Sequence, residues 1–271
     1  MTNHIQITFP GLQPEQQDLL IAHLAEAGYE GFEENDQELK AFIQEERFDR
    51  TLLQELAFKY QLDFSEELIP EQNWNSSWES NFQPVIVDDF VAIRAGFHEP
   101  VKGVEQEIII TPKMSFGTGH HATTSMMVQQ MRDIDFRGKT VFDFGTGTGI
   151  LAILAEKLGA KTITAIDNDD WSMANAAENM EKNNCRKIRL EKHDRITGEE
   201  KYDILLANIN KNVILENFSA LFGHLAPGGT LLLSGLLTTD EEDIIQKAGS
   251  FHLKLSAGME QNNWICLRFR H

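Results

Sequence analysis

The sequence predicts an α/β protein in two parts, a small α+β domain followed by a larger, mainly parallel sheet covered by helices. Three observations carry that expectation. Residues Val141 to Phe144 form an apolar run that ends in the alternating glycines Gly145, Gly147 and Gly149, and the helix-like run Ile150 to Leu154 follows at once. From Gly138 onward strand-like and helix-like segments alternate, the pattern of a parallel sheet with helical crossovers. Before residue 70 the order reads β-α-β-β-α-β, the ferredoxin-like arrangement.

In the front part the predicted elements are strand His4–Phe9, helix Pro14–Ala27, strand Tyr29–Glu34, strand Leu39–Gln44, helix Asp49–Tyr60 and strand Leu62–Leu68. Leu20, Leu24 and Ala27 fall on one helical face, as do Leu52 or Leu53 with Leu56 and Tyr60. Asp49, or Arg50 with Thr51, is placed to cap the second helix. Residues 1–69 are therefore expected to be one domain and 70–83 a linker helix. Trp74 and Trp78 share a stripe of that helix and suit packing between elements.

The larger domain, residues 84–271, begins with β-rich segments at Val85–Val87, Phe90–Ala95 and Gln106–Thr111. A loop from Phe116 through Gly117, Thr118 and Gly119 to His120 and His121 precedes a helix of Met and Val residues, for which Thr123 or Thr124 is the expected N-cap. Then come strand Thr140–Phe144, helix Ile150–Leu158, strand Thr162–Ile166, helix Ser172–Asn183, strand Lys187–Lys192, strand Asp203–Ala207, helix Lys211–Leu225 and strand Thr230–Ser234. Pro227, Gly228 and Gly229 read as a turn ahead of that last strand. His252–Ala257 and Trp264–Arg270 read as an antiparallel hairpin at a sheet edge.

Chemistry concentrates at three places. Glycines such as Gly145 and Gly147 admit positive φ and close approach of a ligand, and the free N–H groups of the following helix face that ligand. Asp167, 22 residues past Gly145 at the end of the second strand, sits where an acidic residue accepts hydrogen bonds from ribose hydroxyls. The spacing G-x-G-x-G is not the dinucleotide G-x-G-x-x-G, and no Lys-Ser or Lys-Thr pair makes a phosphate loop. Asp143 beside the turn repels a pyrophosphate and suits a cationic or zwitterionic nucleoside, for which S-adenosylmethionine is the match. The loop containing Thr118 offers hydroxyls and N–H groups that can close over such a ligand. Asn208, at the end of the fourth parallel strand, places an amide at the crevice outside the strand ends, while Asn208 and Asn210 also suit a helix cap.

Composition narrows the function classes. The formal charge is −18, of which residues 1–70 carry −11, with 15 acidic against four basic residues. Such a chain lacks the basic surface that nucleic-acid backbone binding needs, and its front part suits a basic partner. No apolar run approaches a membrane span, and the start lacks a signal-peptide pattern. Cys185 and Cys266 have no ligand-like spacing, and the adjacent His120 and His121 point different ways, so no metal is expected and a cytoplasmic location is.

Taken together, Trp74/Trp78 with Asn81-Phe82, the loop Phe116-Gly117-Thr118-Gly119 with His121 and Thr123-Thr124, the glycine turn, Asp167 and Ala207-Asn208-Ile209 resemble the bacterial ribosomal protein methyltransferase family PrmA, which methylates protein eleven of the large ribosomal subunit. The resemblance implies a class I (Rossmann-like) S-adenosylmethionine-dependent methyltransferase domain behind a small N-terminal ferredoxin-like domain that recognises the substrate protein. It implies S-adenosylmethionine contacts at Thr124, Gly145, Asp167 and Asn208, and methylation of lysine or α-amino groups on a basic ribosomal protein. Departures are Ala122 where the family often has Pro, Thr146 where it often has Cys, and Asn210 where it often has Leu. The alternatives are a small-molecule methyltransferase on the same sheet and a non-catalytic S-adenosylmethionine-binding factor. A nicotinamide oxidoreductase is disfavoured by the glycine spacing and the terminal hairpin.

Overall fold

The computed structural model describes residues 3–12, 16–17, 20–21, 23–24, 27–29, 31–34, 38–69, 82–112 and 119–271. The linker containing Trp74, Trp78 and Asn81, and the loop segment containing Phe116, Gly117 and Thr118, lie outside the described residues. The chain divides into two compact units, Met1–Asn81 and Phe82–His271.

The front unit contains β1 (His4–Pro10), β2 (Gly31–Glu34), β3 (Glu38–Gln44), α1 (Arg50–Tyr60) and β4 (Ser65–Ile69). Gln16, Gln17, Leu20, Ile21, His23 and Leu24 are also helical, within the span predicted for the first helix. The strands pair antiparallel in the order β2-β3-β1-β4, the ferredoxin-like sheet. Alternation decides which face is core: in β3, Leu39, Ala41 and Ile43 are buried while Glu38, Lys40 and Phe42 are not. Ile7, Phe9, Leu20, Leu24 and Leu53 complete that core. Asp49 is the N-cap of α1, its carboxylate accepting from the N–H groups of Thr51 and Leu52. Leu53 faces inward and Leu52 outward. The fourth strand starts later than the sequence suggests because Gln61 turns left-handed (φ 54°) and the Leu62 N–H closes back onto Ala57.

In the second unit, β5 (Val85–Val87), β6 (Val91–Ala95) and β7 (Gln106–Ile110) form a separate three-stranded sheet. The main sheet follows α2 (Ala122–Arg132) and is built from β8 (Thr140–Phe144), α3 (Ile150–Lys157), β9 (Thr162–Asp167), α4 (Asp170–Lys182), β10 (Ile188–Lys192), β11 (Tyr202–Asn208), α5 (Lys211–His224), β12 (Leu225–Leu237), α6 (Glu241–Ser250), β13 (Lys254–Gln261) and β14 (Trp264–Arg270). Its order is β10-β9-β8-β11-β12-β14-β13, parallel except for β14, which pairs antiparallel with both neighbours. Both faces are covered. Val141, Ile163, Ala165, Ile204 and Leu206 pack with α2, α3 and α4, while Phe142, Phe144, Leu205 and Ala207 pack with α5 and α6. Burial on both sides explains why these strands read as continuous apolar runs.

Three details differ from the sequence reading. Pro227, Gly228 and Gly229 lie inside β12, at a register shift between its pairings with Tyr202 and Ile204, because Gly228 takes φ 72° and lets the strand resume. The helix Glu241–Ser250 went unpredicted, although Ile244 and Ala248, four apart, are its buried residues. The N-cap of α2 is His121 rather than Thr123 or Thr124.

Candidate functional site

The glycine turn is locked at the carboxyl edge of β8. Gly145 takes φ 72°, and a Cβ built there meets Ile209 Cγ2 at 2.4 Å. The N–H groups of Gly145 and Thr146 donate to the Ile166 carbonyl at 3.0 and 2.8 Å, which ties the turn to the end of β9. From that end Asp167 reaches back. Its Oδ2 accepts from the Gly147 N–H at 2.9 Å and its Oδ1 from the Asp169 N–H at 3.0 Å. Asp167 is thus held by the turn whose far side it faces, and stays half-buried at the pocket wall.

Asp143 does something else. Its side chain is 0% exposed and accepts from Thr146 Oγ1 at 2.6 Å, so it stands beneath the turn and is not among the residues lining the pocket. The expectation that it faces a cationic ligand is corrected accordingly: a buried strand position turns it into the core. Burial raises its pKa to about 7, against smaller downward pulls from the Thr146 hydroxyl and the Ala152 N–H.

A cleft of about 480 Å³ runs along the strand tips. At one end stand Asp167, Asn168, His193 and Asp194, at the middle Phe144, Gly145 and Gly147, and at the other end Asn208, Ile209, Gly235, Trp264 and His121. Of the predicted site residues, Gly145, Gly147, Asp167 and Asn208 line it. Thr124 is 2% exposed and lies behind Asn208, whose Nδ2 donates to Thr124 Oγ1 at 3.3 Å. Asn208 Oδ1 is buried and has no hydrogen-bond partner among the described residues. Asn208 is therefore no cap. Asn210 fills that role for α5, accepting from the Val213 N–H at 3.1 Å.

The first turn of α2 supplies this end of the cleft. His121 Nδ1 accepts from the Thr123 N–H at 3.3 Å and meets Thr123 Oγ1 at 2.8 Å, which fixes the ring while Thr124 fixes Asn208. His120 instead meets the Gln83 carbonyl at 3.1 Å, so the adjacent histidines do diverge. Among the described residues no cluster of three or more His, Cys, Asp or Glu suits a metal ion.

Sequence reasoning did not identify His193, Asp194, Gly235 or Trp264 as part of the site. Trp264 opens a strand distant in sequence, and nothing local marks it. It also missed a helical stripe with a readable spacing, Asn175, Asn179 and Asn183. Asn179 Nδ2 donates to the Thr148 carbonyl of the glycine turn at 2.8 Å, and Asn183 exchanges hydrogen bonds with the backbone of Ile109 at 2.6 and 3.0 Å. Amides at i, i+4, buried at Asn179 and half-buried at Asn183, thus clamp the turn and β7 to one helix and its C-cap.

Strand order, the antiparallel terminal hairpin and a cleft over the carboxyl tips define a class I, S-adenosylmethionine-dependent methyltransferase fold, and the chain is a methyltransferase. The family model for ribosomal protein L11 methyltransferase (PrmA) matches residues 11–271, and the chain belongs to that family. It is 43% identical over 260 residues to the ribosomal protein L11 methyltransferase of Porphyromonas gingivalis, covering 93% of this chain and 90% of that protein. With the protein of the same name from Chlorobaculum tepidum the identity is 41% over 253 residues, covering 88% and 86%. Among solved structures, the ribosomal protein L11 methylase of Lactobacillus delbrueckii subsp. bulgaricus aligns with TM-score 0.65 and 30% identity, over 69% of this chain and 98% of that one.

Proposed function

We propose that this chain transfers methyl groups from S-adenosylmethionine to amino groups, lysine side chains or an N-terminal α-amine, of a basic large-subunit ribosomal protein. The observation that carries the reading is the buried Oδ1 of Asn208, unpartnered among the described residues, beside a phosphate-incompetent glycine turn. A buried carbonyl oxygen without a donor costs about 1–3 kcal/mol, and an acceptor amine would supply the missing N–H. The names of the relatives support a ribosomal protein as substrate.

The donor set suits a sulfonium nucleoside. Asp167 and the Gly145–Gly147 backbone would hold the ribose and amino-acid portions, with Thr124 acting from behind through Asn208. When bound, S-adenosylmethionine supplies an electrophilic methyl group. The chain's own part is to present a neutral amine. Lysine has a reference pKa near 10.4, so the acceptor must shed a proton, and a dry pocket favours the neutral form. Asn208 orients that amine by accepting one of its N–H groups, and its own amide is steadied by Thr124. No carboxylate stands at that end of the cleft among the described lining residues, so positioning rather than a strong base provides most of the rate.

Residues 1–69 serve as the recognition domain in this reading, 70–83 as the connection and 84–271 as the catalytic domain, all in the cytoplasm where ribosomal proteins are made. Tritiated methyl transfer into the purified ribosomal protein, followed by mass-spectrometric mapping, tests the proposal. Label on amino groups is expected, and it is lost with Asn208→Ala. Absence of label, or label on another functional group, overturns it.

A further inference from the structure

The glycine turn is held by two different elements. At the cleft wall Asp167 accepts from the Gly147 N–H, but one residue on the Thr148 carbonyl is bonded into α4, where Asn179 Nδ2 donates to it at 2.8 Å. The helix lies close against the turn there. A Cβ built on Gly149 meets Met180 Cε at 3.3 Å and Ala176 Cβ at 3.4 Å, so Ala176, Asn179 and Met180 share the face of α4 that supports it. Thr148 and Asn179 are both buried, and neither lines the cleft. Asn179 also reaches past β7. Its Oδ1 accepts from the Thr111 N–H at 2.7 Å, its Nδ2 donates a second bond to Asn175 Oδ1 at 2.7 Å, and Asn175 Nδ2 donates to the Thr111 carbonyl at 3.2 Å. The Thr111 N–H needs an acceptor and the Thr148 carbonyl a donor, so the Asn179 amide stands only one way round. Asn favours caps and turns over helix interiors, and a buried amide is costly unless its bonds are made. Two buried amides inside α4 therefore mark a place where the backbone of other elements is held.

We infer that Asn179 is a positioning residue for cofactor binding, which fixes the peptide between Thr148 and Gly149 from outside the cleft and so sets the backbone that the cofactor meets. The inference rests on the S-adenosylmethionine reading of the turn above and deepens it. Gly149 takes φ 83°, so no side chain resists rotation of that peptide once the Thr148 carbonyl loses its donor on α4. Asp167 cannot replace this support, because it holds the Gly147 N–H and is itself shared with the ligand. Through Thr111 the same amide ties the turn to the end of β7. Asn183, four residues further along, bonds to the Ile109 backbone and not to the turn, which makes it the internal control.

The test compares matched truncations in the full-length protein. Asn179→Ala and Asn183→Ala each remove amide bonds of α4, and both should lower the urea midpoint. Only Asn179→Ala should weaken S-adenosylmethionine, by about tenfold in isothermal titration, with kcat at saturating cofactor within about two-fold of wild type. Asn183→Ala should keep its Kd within about two-fold. In the protein without cofactor, the Gly149 N–H, which donates to the Thr146 carbonyl at 2.9 Å, should exchange with solvent about tenfold faster in Asn179→Ala than in Asn183→Ala. Asn175→Ala removes one anchor of the Asn179 amide, should raise the Kd about three-fold, and decides the matter if Asn179→Ala does not fold. An unchanged Kd in the deciding variant, or an equal rise in Asn183→Ala, overturns the inference. If the wild-type protein takes up no S-adenosylmethionine, the cofactor reading fails instead, and exchange at Gly149 alone decides whether Asn179 holds the turn.

Discussion

The side-chain amide of Asn208, at the tip of β11, donates to the hydroxyl of Thr124 in the first turn of α2 at 3.3 Å, across 84 residues of sequence. This bond chooses which end of the amide is spent on the protein. With Nδ2 engaged, Oδ1 is the end left without a partner among the described residues. The sequence suggests Thr124 and Asn208 separately, as two contacts to one cofactor. The structure joins them into a single device, in which a buried hydroxyl orients the amide at the cleft wall.

Replacing Thr124 by Val keeps the shape and removes the hydroxyl. Asn208 can then rotate, and a neutral hydrogen bond of about 1 kcal/mol is lost from the site. Turnover is expected to fall about five-fold while the melting temperature drops only slightly. Thr124→Ser should restore most of the rate. Steady-state kinetics with thermal melts checks both, and an unchanged kcat in Thr124→Val removes Thr124 from the orienting role.

Gly145 and Gly198 make a matched pair. Both have positive φ, 72° and 88°, but a Cβ at Gly145 meets Ile209 Cγ2 at 2.4 Å whereas one at Gly198 meets nothing within 4 Å. Alanine at either position carries backbone strain of about 1 kcal/mol or more. Only Gly145→Ala should also displace Ile209 and weaken S-adenosylmethionine binding, by at least about tenfold. Isothermal titration of the two variants separates strain from steric blockade. Equal affinities would show that the turn is not a ligand cradle.

Much of this architecture was legible because each signal was local. The β-α-β-β-α-β order, the alternation after Gly138, the Gly145 turn and Asp167 each depend on a short window, and each stands where the pattern placed it. Other features depend on tertiary burial that no window reveals. Asp143 precedes the turn by two residues and reads as a ligand contact, yet the inward side of a buried strand turns it under the loop. Trp264 enters the cleft because β14 inserts between β12 and β13, a choice of edge that the hairpin signal leaves open. His121 reads as half of a histidine pair, and only the start of α2 makes it a cap and a wall.

The burial of Asp143 has a pH signature. Its folded pKa is raised from 3.8 to about 7, so the native state favours the protonated form. The stabilisation is complete below the unfolded value and is lost as pH rises through about 7. Across that window the loss is on the order of 4 kcal/mol, at 1.36 kcal/mol per pKa unit. Asp143→Asn stays neutral throughout, so its stability relative to wild type should rise steadily between pH 4 and pH 7. Urea denaturation at pH 5, 6 and 7, monitored in the second unit, measures that difference. A pH-independent difference would mean that the carboxyl is ionised throughout.

The charge of the front unit makes a kinetic prediction. Residues 1–70 carry −11 of the total −18, and Glu33 and Glu67 are exposed on its sheet. A field of this sign speeds the approach of a basic protein, and salt shortens its range from about 10 Å at 0.1 M to about 3 Å at 1 M. The association rate with the ribosomal protein is expected to fall about tenfold over that range, while dissociation changes much less. Glu33→Lys with Glu67→Lys replaces one negative by one positive charge at each position, leaves the fold within about 0.5 kcal/mol, and should lower the low-salt rate and flatten its salt dependence. Stopped-flow measurements at several ionic strengths decide the matter. A rate that ignores both salt and the double variant would assign the acidity of this unit to solubility alone.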